Sequence, residues 1–180
     1  MQRTSDPLPL LETSHILVSC EGAMEQIAIN KLLEAGALVF SADQVIDITR
    51  KRKANEIQEE YLRYEYDWPV CIVRVLDSLR ERFKLGSLYS SRFPVVSVYT
   101  RPEIEMLAII RNGCFADYAK VKSSVKPSQY CKDVLGLRRI KSSEFLDRYW
   151  DAESLGEAAK EYRRLAHLER GELCLADILK

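Results

Sequence analysis

Short apolar runs alternate along this chain with segments of helical spacing, and that alternation is what most constrains the fold. Ile16-Leu17-Val18-Ser19-Cys20 reads as a buried strand, because a run without polar alternation has no face to offer to water. It stops at Glu21-Gly22. In the next stretch Met24, Ile27, Ala28, Leu32 and Ala35 recur at helical spacing, and Gly36 supplies a C-terminal stop. Ala37-Leu38-Val39-Phe40 reads as a second strand. The charged segment from Arg50 to Arg63 favours helix and is broken by Trp68-Pro69. Val70–Leu76 is the strongest strand candidate and ends at Asp77; Val95–Tyr99 is another and ends at Thr100-Arg101-Pro102. A helix is expected through Glu103–Arg111, since proline is tolerated at a first helical position. Further helices are expected over about 115–122, 128–135, 143–149 and 152–167, with Asp151 and Ser154 placed to cap the last. The closing GELCLADIL suits either a short strand or a helical turn.

Strands alternating with helices imply an α/β fold: a mostly parallel sheet flanked by helices, with a helical C-terminal part. Residues 1–13 carry two prolines and read as an irregular lead-in, 14–136 as the α/β domain, and 137–180 as a helical extension packed on it. At 180 residues the chain suits one domain with a substantial core.

Charge excludes one class of function. With 27 basic and 27 acidic residues the formal net charge is zero, which argues against a generic, charge-driven nucleic-acid binder while leaving room for a local basic groove. The five cysteines (Cys20, Cys71, Cys114, Cys131 and Cys174) form no CxxC pair, and only His15 and His167 could assist them. They read as reduced core thiols rather than zinc ligands, which suits a reducing cytoplasm. The polar N-terminus, with Asp6 and Glu12, does not read as a secretory signal. No apolar run approaches the roughly 20 residues a membrane helix needs, so no membrane partner is expected.

The acids fall at telling places. Three expected strands end on or beside an acidic or hydroxyl residue: the first at Glu21, the central one at Asp77, the later one at Thr100 followed by Glu103 and Glu105. Ligands of parallel α/β sheets bind beyond the carboxyl ends of the strands. Glu25, four residues after Glu21, shares a helix face with it if the intervening turn is helical. Carboxylates gathered at one sheet edge repel one another unless a cation neutralises them, and hard oxygen donors suit magnesium, manganese or calcium.

On these residues the chain resembles a known family. ILVSCEGAMEQIAINKLL is similar to the first motif of Toprim domains, a hydrophobic strand, Glu-Gly and a helix, and Glu25 resembles the second of the paired glutamates in OLD-type nucleases. CIVRVLDSLRERF is similar to the second motif, a strand ending in metal-binding acids. YTRPEIEMLAII and Lys126-Pro127 resemble late segments of RloB-like and OLD-like members. The resemblance spans roughly residues 14–136, with the motifs in order. One departure stands out: where the family usually reads Asp-x-Asp, this chain reads Asp77-Ser78-Leu79, and Glu81 is the next acid along.

The resemblance implies a metal-dependent nuclease that hydrolyses DNA or RNA, using Mg2+ or Mn2+. Glu21 would act as general acid/base or ligand, Asp77 would hold the principal metal, and Glu25, Glu103 and Glu105 would be further ligands. Lys126 would neutralise charge in the transition state. It further implies a phage-defence setting. No GxxxxGKS/T phosphate loop occurs, so an ATPase, if required, is a separate subunit. The missing second aspartate leaves an alternative open: a catalytically impaired Toprim-like subunit acting as a binding or regulatory module in a larger complex. A small nucleotide-binding regulator is a third reading. Basic residues that could guide a nucleic acid lie at Arg50–Lys53, at Lys120, Lys122 and Lys126, and at Arg138, Arg139 and Lys141. Tyr61, Tyr64 and Tyr66 are candidates for base stacking; Tyr149-Trp150 reads as a core or interface anchor.

Overall fold

The structure is a computed structural model describing residues 7–79 and 81–180; residues 1–6 of the expected lead-in lie outside the described residues. Its centre is a five-stranded, all-parallel sheet built from β1 (His15–Cys20), β2 (Val45–Thr49), β3 (Val70–Leu76), β4 (Val95–Tyr99) and β5 (Leu173–Cys174), in the order β2-β1-β3-β4-β5. The helices are α1 (Leu8–Thr13), α2 (Ala23–Glu34), α3 (Ala54–Ile57), α4 (Ser87–Ser90), α5 (Met106–Arg111), α6 (Phe115–Val121), α7 (Pro127–Asp133), α8 (Ser143–Tyr149) and α9 (Ala152–Leu165). This is the α/β class expected from the sequence, with helices dominating the C-terminal part.

Side-chain alternation divides β3 between two cores. Cys71, Val73 and Val75 face a large core with Ile16, Val18 and Cys20 of β1, closed by α2, α5, α7, α8 and α9. Its helices earn their places by one-sided apolarity: α9 buries Leu155, Ala158, Ala159 and Tyr162, and its start is capped by Asp151, whose Oδ1 accepts the Ser154 N–H at 2.7 Å. The opposite face carries a much smaller cluster, in which Leu17, Val70 and Ile72 meet Ile57, Leu62, Leu85 and Phe93.

Strand order positions the site. The chain runs from β1 outward to β2, then crosses back to β3 on the other side of β1, so the winding reverses between β1 and β3. Such a switch point opens a crevice at the carboxyl ends of its two strands. The register levels those ends, pairing Cys20 with Val75 and Leu76 with Tyr99. The ladder runs one step further, as the Glu21 N–H donates to Val75 O at 2.9 Å and the Thr100 N–H to Leu76 O at 2.8 Å.

Several local expectations are corrected. Ala37–Phe40 is not a strand: Leu38 makes one antiparallel bridge to Leu179, and Leu38 and Phe40 fill the large core from a loop. The second strand is Val45–Thr49, held beside the start of β1 by Gln44, whose Nε2 donates to the carbonyls of Leu11, Glu12 and Ser14. The lead-in is helical over Leu8–Thr13. The charged segment turns helical only at Ala54 and widens into a π turn over Gln58–Leu62. The helix expected from Glu103 begins at Met106, after a tighter turn in which the Met106 N–H donates to Glu103 O and the Leu107 N–H to Ile104 O. GELCLADIL supplies both β5 and a 3-10 turn, so the C-terminal part completes the sheet as well as covering it. All five thiols are free, and four of them are buried.

Candidate acidic active site

The strand ends deliver their acids together. Glu21 follows β1, and its Oε2 accepts the backbone N–H of Asp77, which follows β3, at 2.9 Å. The Asp77 carboxyl is raised from the usual aspartate range to about 6, first by burial, then by its hydrogen bond to Glu21 and by the charges of Glu21 and Glu103, against the opposing pull of Arg52. Glu25, on the first turn of α2, is 5% exposed. Burial pushes its carboxyl up to about 7; its own backbone N–H works the other way, and Glu105, Asp77 and Glu21 add to the rise. Gly22 lies under that carboxylate: a Cβ there would come within 2.9 Å of Glu25 Oε2, so a larger residue would have to push the carboxylate aside. Burial likewise raises Glu105, which is partly compensated by Lys141 at 3.6 Å. The five acids named from the sequence are thus linked in one chain of interactions: Glu25 feels Glu105, Asp77 and Glu21, Asp77 feels Glu21 and Glu103, and Glu105 feels Glu103.

Lys126 stands at the N-terminal boundary of α7, exposed and without an ion-pair partner among the described residues. Its helix approaches the acids through the bond from Ser128 N to Glu103.

Sequence reasoning missed the cations that hold these acids. Arg52 Nη2 meets Glu21 Oε1 at 2.6 Å and Arg52 Nε meets Glu81 Oε1 at 3.0 Å. The other Glu81 oxygen meets Arg74 Nη2 at 2.7 Å. Arg74 is 2% exposed, and its guanidinium lies 4.1 Å from the centre of the Phe83 ring. Burial draws Arg74 down from the usual arginine range against the pull of Glu81. One signal for this was available, an arginine inside the apolar run VCIVRVL: a charge buried in a central strand needs a partner. Glu81 is that partner, so it is committed to two arginines rather than standing in for the missing second aspartate.

Among the described residues, no group of three or more His, Cys, Asp or Glu side chains is arranged to hold a metal ion. The donor set nonetheless fits a hard divalent cation in its chemistry: carboxylates only, at a sheet edge, two of them held toward the protonated form by burial and by each other. A dication would favour their ionised forms and compete with Arg52 for Glu21.

The expected nucleic-acid residues separate. Lys51, Lys53, Lys120, Arg139 and Lys141 are each ion-paired, whereas Arg50, Lys122, Lys126 and Arg138 have no ion-pair partner among the described residues. Tyr61 and Tyr66 pack against the smaller core, and only Tyr64 of the three is largely exposed. Trp150 is buried and Tyr149 half-buried, with Arg111 over both rings, as suits an anchor.

No helix among the described residues is long and apolar enough to cross a membrane. No family model matches the chain, and neither a curated protein nor a solved structure does.

Proposed function

We propose that this chain is a metal-dependent nuclease that hydrolyses phosphodiesters of DNA or RNA with Mg2+ or Mn2+ at the acidic edge of its sheet. The observation that carries the reading is the contact between Glu21 and the Asp77 backbone at the switch point, with Glu25, Glu103 and Glu105 in electrostatic reach. Asp77 and Glu21 would hold the cation, with Glu25, Glu103 and Glu105 as further ligands or as groups that position them. Bound there, the cation would polarise the scissile phosphate and steady the attacking and leaving oxygens. Glu21 passes the proton between water and the leaving oxygen, which requires Arg52 to release one of its oxygens. Lys126 offsets the charge that builds on the phosphate. A phage-defence role and a separate ATPase subunit belong to the same proposal and rest on the Toprim resemblance alone; a cytoplasmic location rests on the unpaired thiols.

The test is cleavage of labelled single- and double-stranded DNA and RNA with Mg2+ or Mn2+. Glu21→Gln and Asp77→Asn are expected to abolish turnover while leaving the thermal transition in place. Undiminished cleavage in both variants would refute the assignment.

Specific observations favour a second reading, a catalytically impaired subunit that binds or regulates. Glu21 is already neutralised by Arg52, Glu81 is held by two arginines, and no ready metal group is formed among the described residues. That reading expects no heat on titrating the protein with Mn2+ and co-purification with a larger partner.

A further inference from the structure

Beside Asp77 a cleft of about 620 Å3 opens between the loop after β3, the Arg101-Pro102 turn, α6 and the end of α9. Its size lies within the range of about 300–1,000 Å3 typical of small-ligand sites. Its walls are mostly apolar. Phe115 and Tyr118 come from α6, Met106 from α5, and Tyr162 and Leu165 from α9. Both tyrosine hydroxyls are already used, donating to Val125 O at 3.0 Å and to Arg101 O at 2.7 Å. Tyr118, Tyr162 and Met106 are buried behind the wall, so the half-buried Phe115 and Leu165 supply the accessible apolar surface. Two basic side chains, Lys122 and His167, join this lining, both exposed and neither ion-paired among the described residues. Arg101 also lines the cleft, but its guanidinium is held by both oxygens of Glu172, at 2.7 and 2.6 Å.

We propose that this cleft binds one unpaired nucleotide of a single-stranded nucleic acid, its base against the aromatic and aliphatic wall and its phosphate toward Lys122 and His167. The chemistry selects for an unpaired base. A duplex presents phosphates outward and covers its base faces, so pressing it on an apolar wall would desolvate charge without a partner. An unpaired base supplies a flat apolar face for stacking, and its attached phosphate answers the two basic groups. Asp77 lines the same cleft, so a nucleotide seated there sets the neighbouring phosphodiester at the acidic edge. This last step rests on the nuclease reading; the binding of a nucleotide does not.

The test is fluorescence anisotropy of the full chain with a labelled single-stranded 8-mer and with a blunt duplex of the same sequence, in EDTA. Tighter binding of the single strand is expected, and Phe115→Ala and Lys122→Glu should each weaken it about tenfold or more. Phe115 packs on the large core, so Phe115→Leu is included: it keeps the packing but loses the flat face, and should weaken binding with an unchanged melting temperature. Equal affinity for strand and duplex, or no effect of Phe115→Leu and Lys122→Glu, overturns the proposal. The two readings fail separately. Cleavage that needs Glu21 but ignores the cleft variants removes the nucleotide site and keeps the nuclease. Cleft-dependent binding without any metal-dependent cleavage removes the nuclease and keeps the site.

Discussion

Replacing Glu25 by glutamine should make the metal-free protein more stable at alkaline pH and change it little in acid. The reasoning begins with burial. Glu25 is 5% exposed, and its carboxyl is raised from 4.5 to about 7, chiefly by desolvation. Between those two values the folded state binds more protons than the unfolded chain, so stability falls as pH rises through the window and levels off above about 7. A tenfold change in acid dissociation corresponds to about 1.4 kcal/mol, so the penalty accumulated by pH 8 is about 3 kcal/mol, against under about 1 kcal/mol at pH 5. Glutamine keeps the shape and removes the titration. For a chain of this length each kcal/mol moves the midpoint by about 2–4 °C. Glu25→Gln should therefore melt about 6–12 °C above the parent at pH 8 in EDTA and within about 3 °C of it at pH 5. Scanning calorimetry at the two pH values, with and without 10 mM Mg2+, reads the effect. Magnesium should raise the parent midpoint more at pH 8 than at pH 5, because ligands must lose their protons to bind metal, and should raise the variant less. An advantage of equal size at both pH values would refute the reasoning, because it would place the gain in packing rather than in the proton.

Three further outcomes follow from the contacts described above. Arg74→Ala should cost about 1.5–3 kcal/mol in urea unfolding because Glu81 loses one of its two charged hydrogen bonds and is left with Arg52 alone, and Arg74→Met with Glu81→Gln should recover most of the loss. Gly22→Ala should lower the melting temperature by forcing the Glu25 carboxylate aside, but should be close to neutral in a Glu25→Ala background, a coupling that a double-mutant cycle measures. Tyr162→Phe should cost about 1 kcal/mol in urea unfolding through loss of the bond from its hydroxyl to Arg101 O.

How far the sequence could be read depended on the range of the interactions concerned. β1 and β3 were legible because each is a nearly unbroken apolar run that ends up buried, β4 because its β-branched run VVSV favours a strand, and the acids because they directly follow two of those strands. β2 was passed over because VIDIT alternates and carries Asp47 outward, while the more apolar Ala37–Phe40 competed for the same role. That contest is settled by Gln44, which ties this part of the chain to carbonyls about thirty residues earlier. The same limit hid the counter-charges: Arg52 reaches Glu21 across 31 positions and Glu81 across 29. No local pattern records such pairs, although a lone arginine within VCIVRVL announced that one must exist.

The two faces of the sheet are insulated to different depths, and the charges are sorted accordingly. Glu25, Glu103 and Glu105 are attached on the side of the thick layer, whereas Arg52, which clamps Glu21, and Glu81, which holds Arg52, flank the thin veneer of α3, its π turn and the segment around Phe83. Shallow layers open at a smaller free-energy cost than the whole molecule. Breathing of that veneer would unlatch Glu21 while β1 and β3 stay paired, so amides of residues 57–62 should exchange ahead of those in 107–111. The latch on the acid would then be worked by the shallower of the two layers.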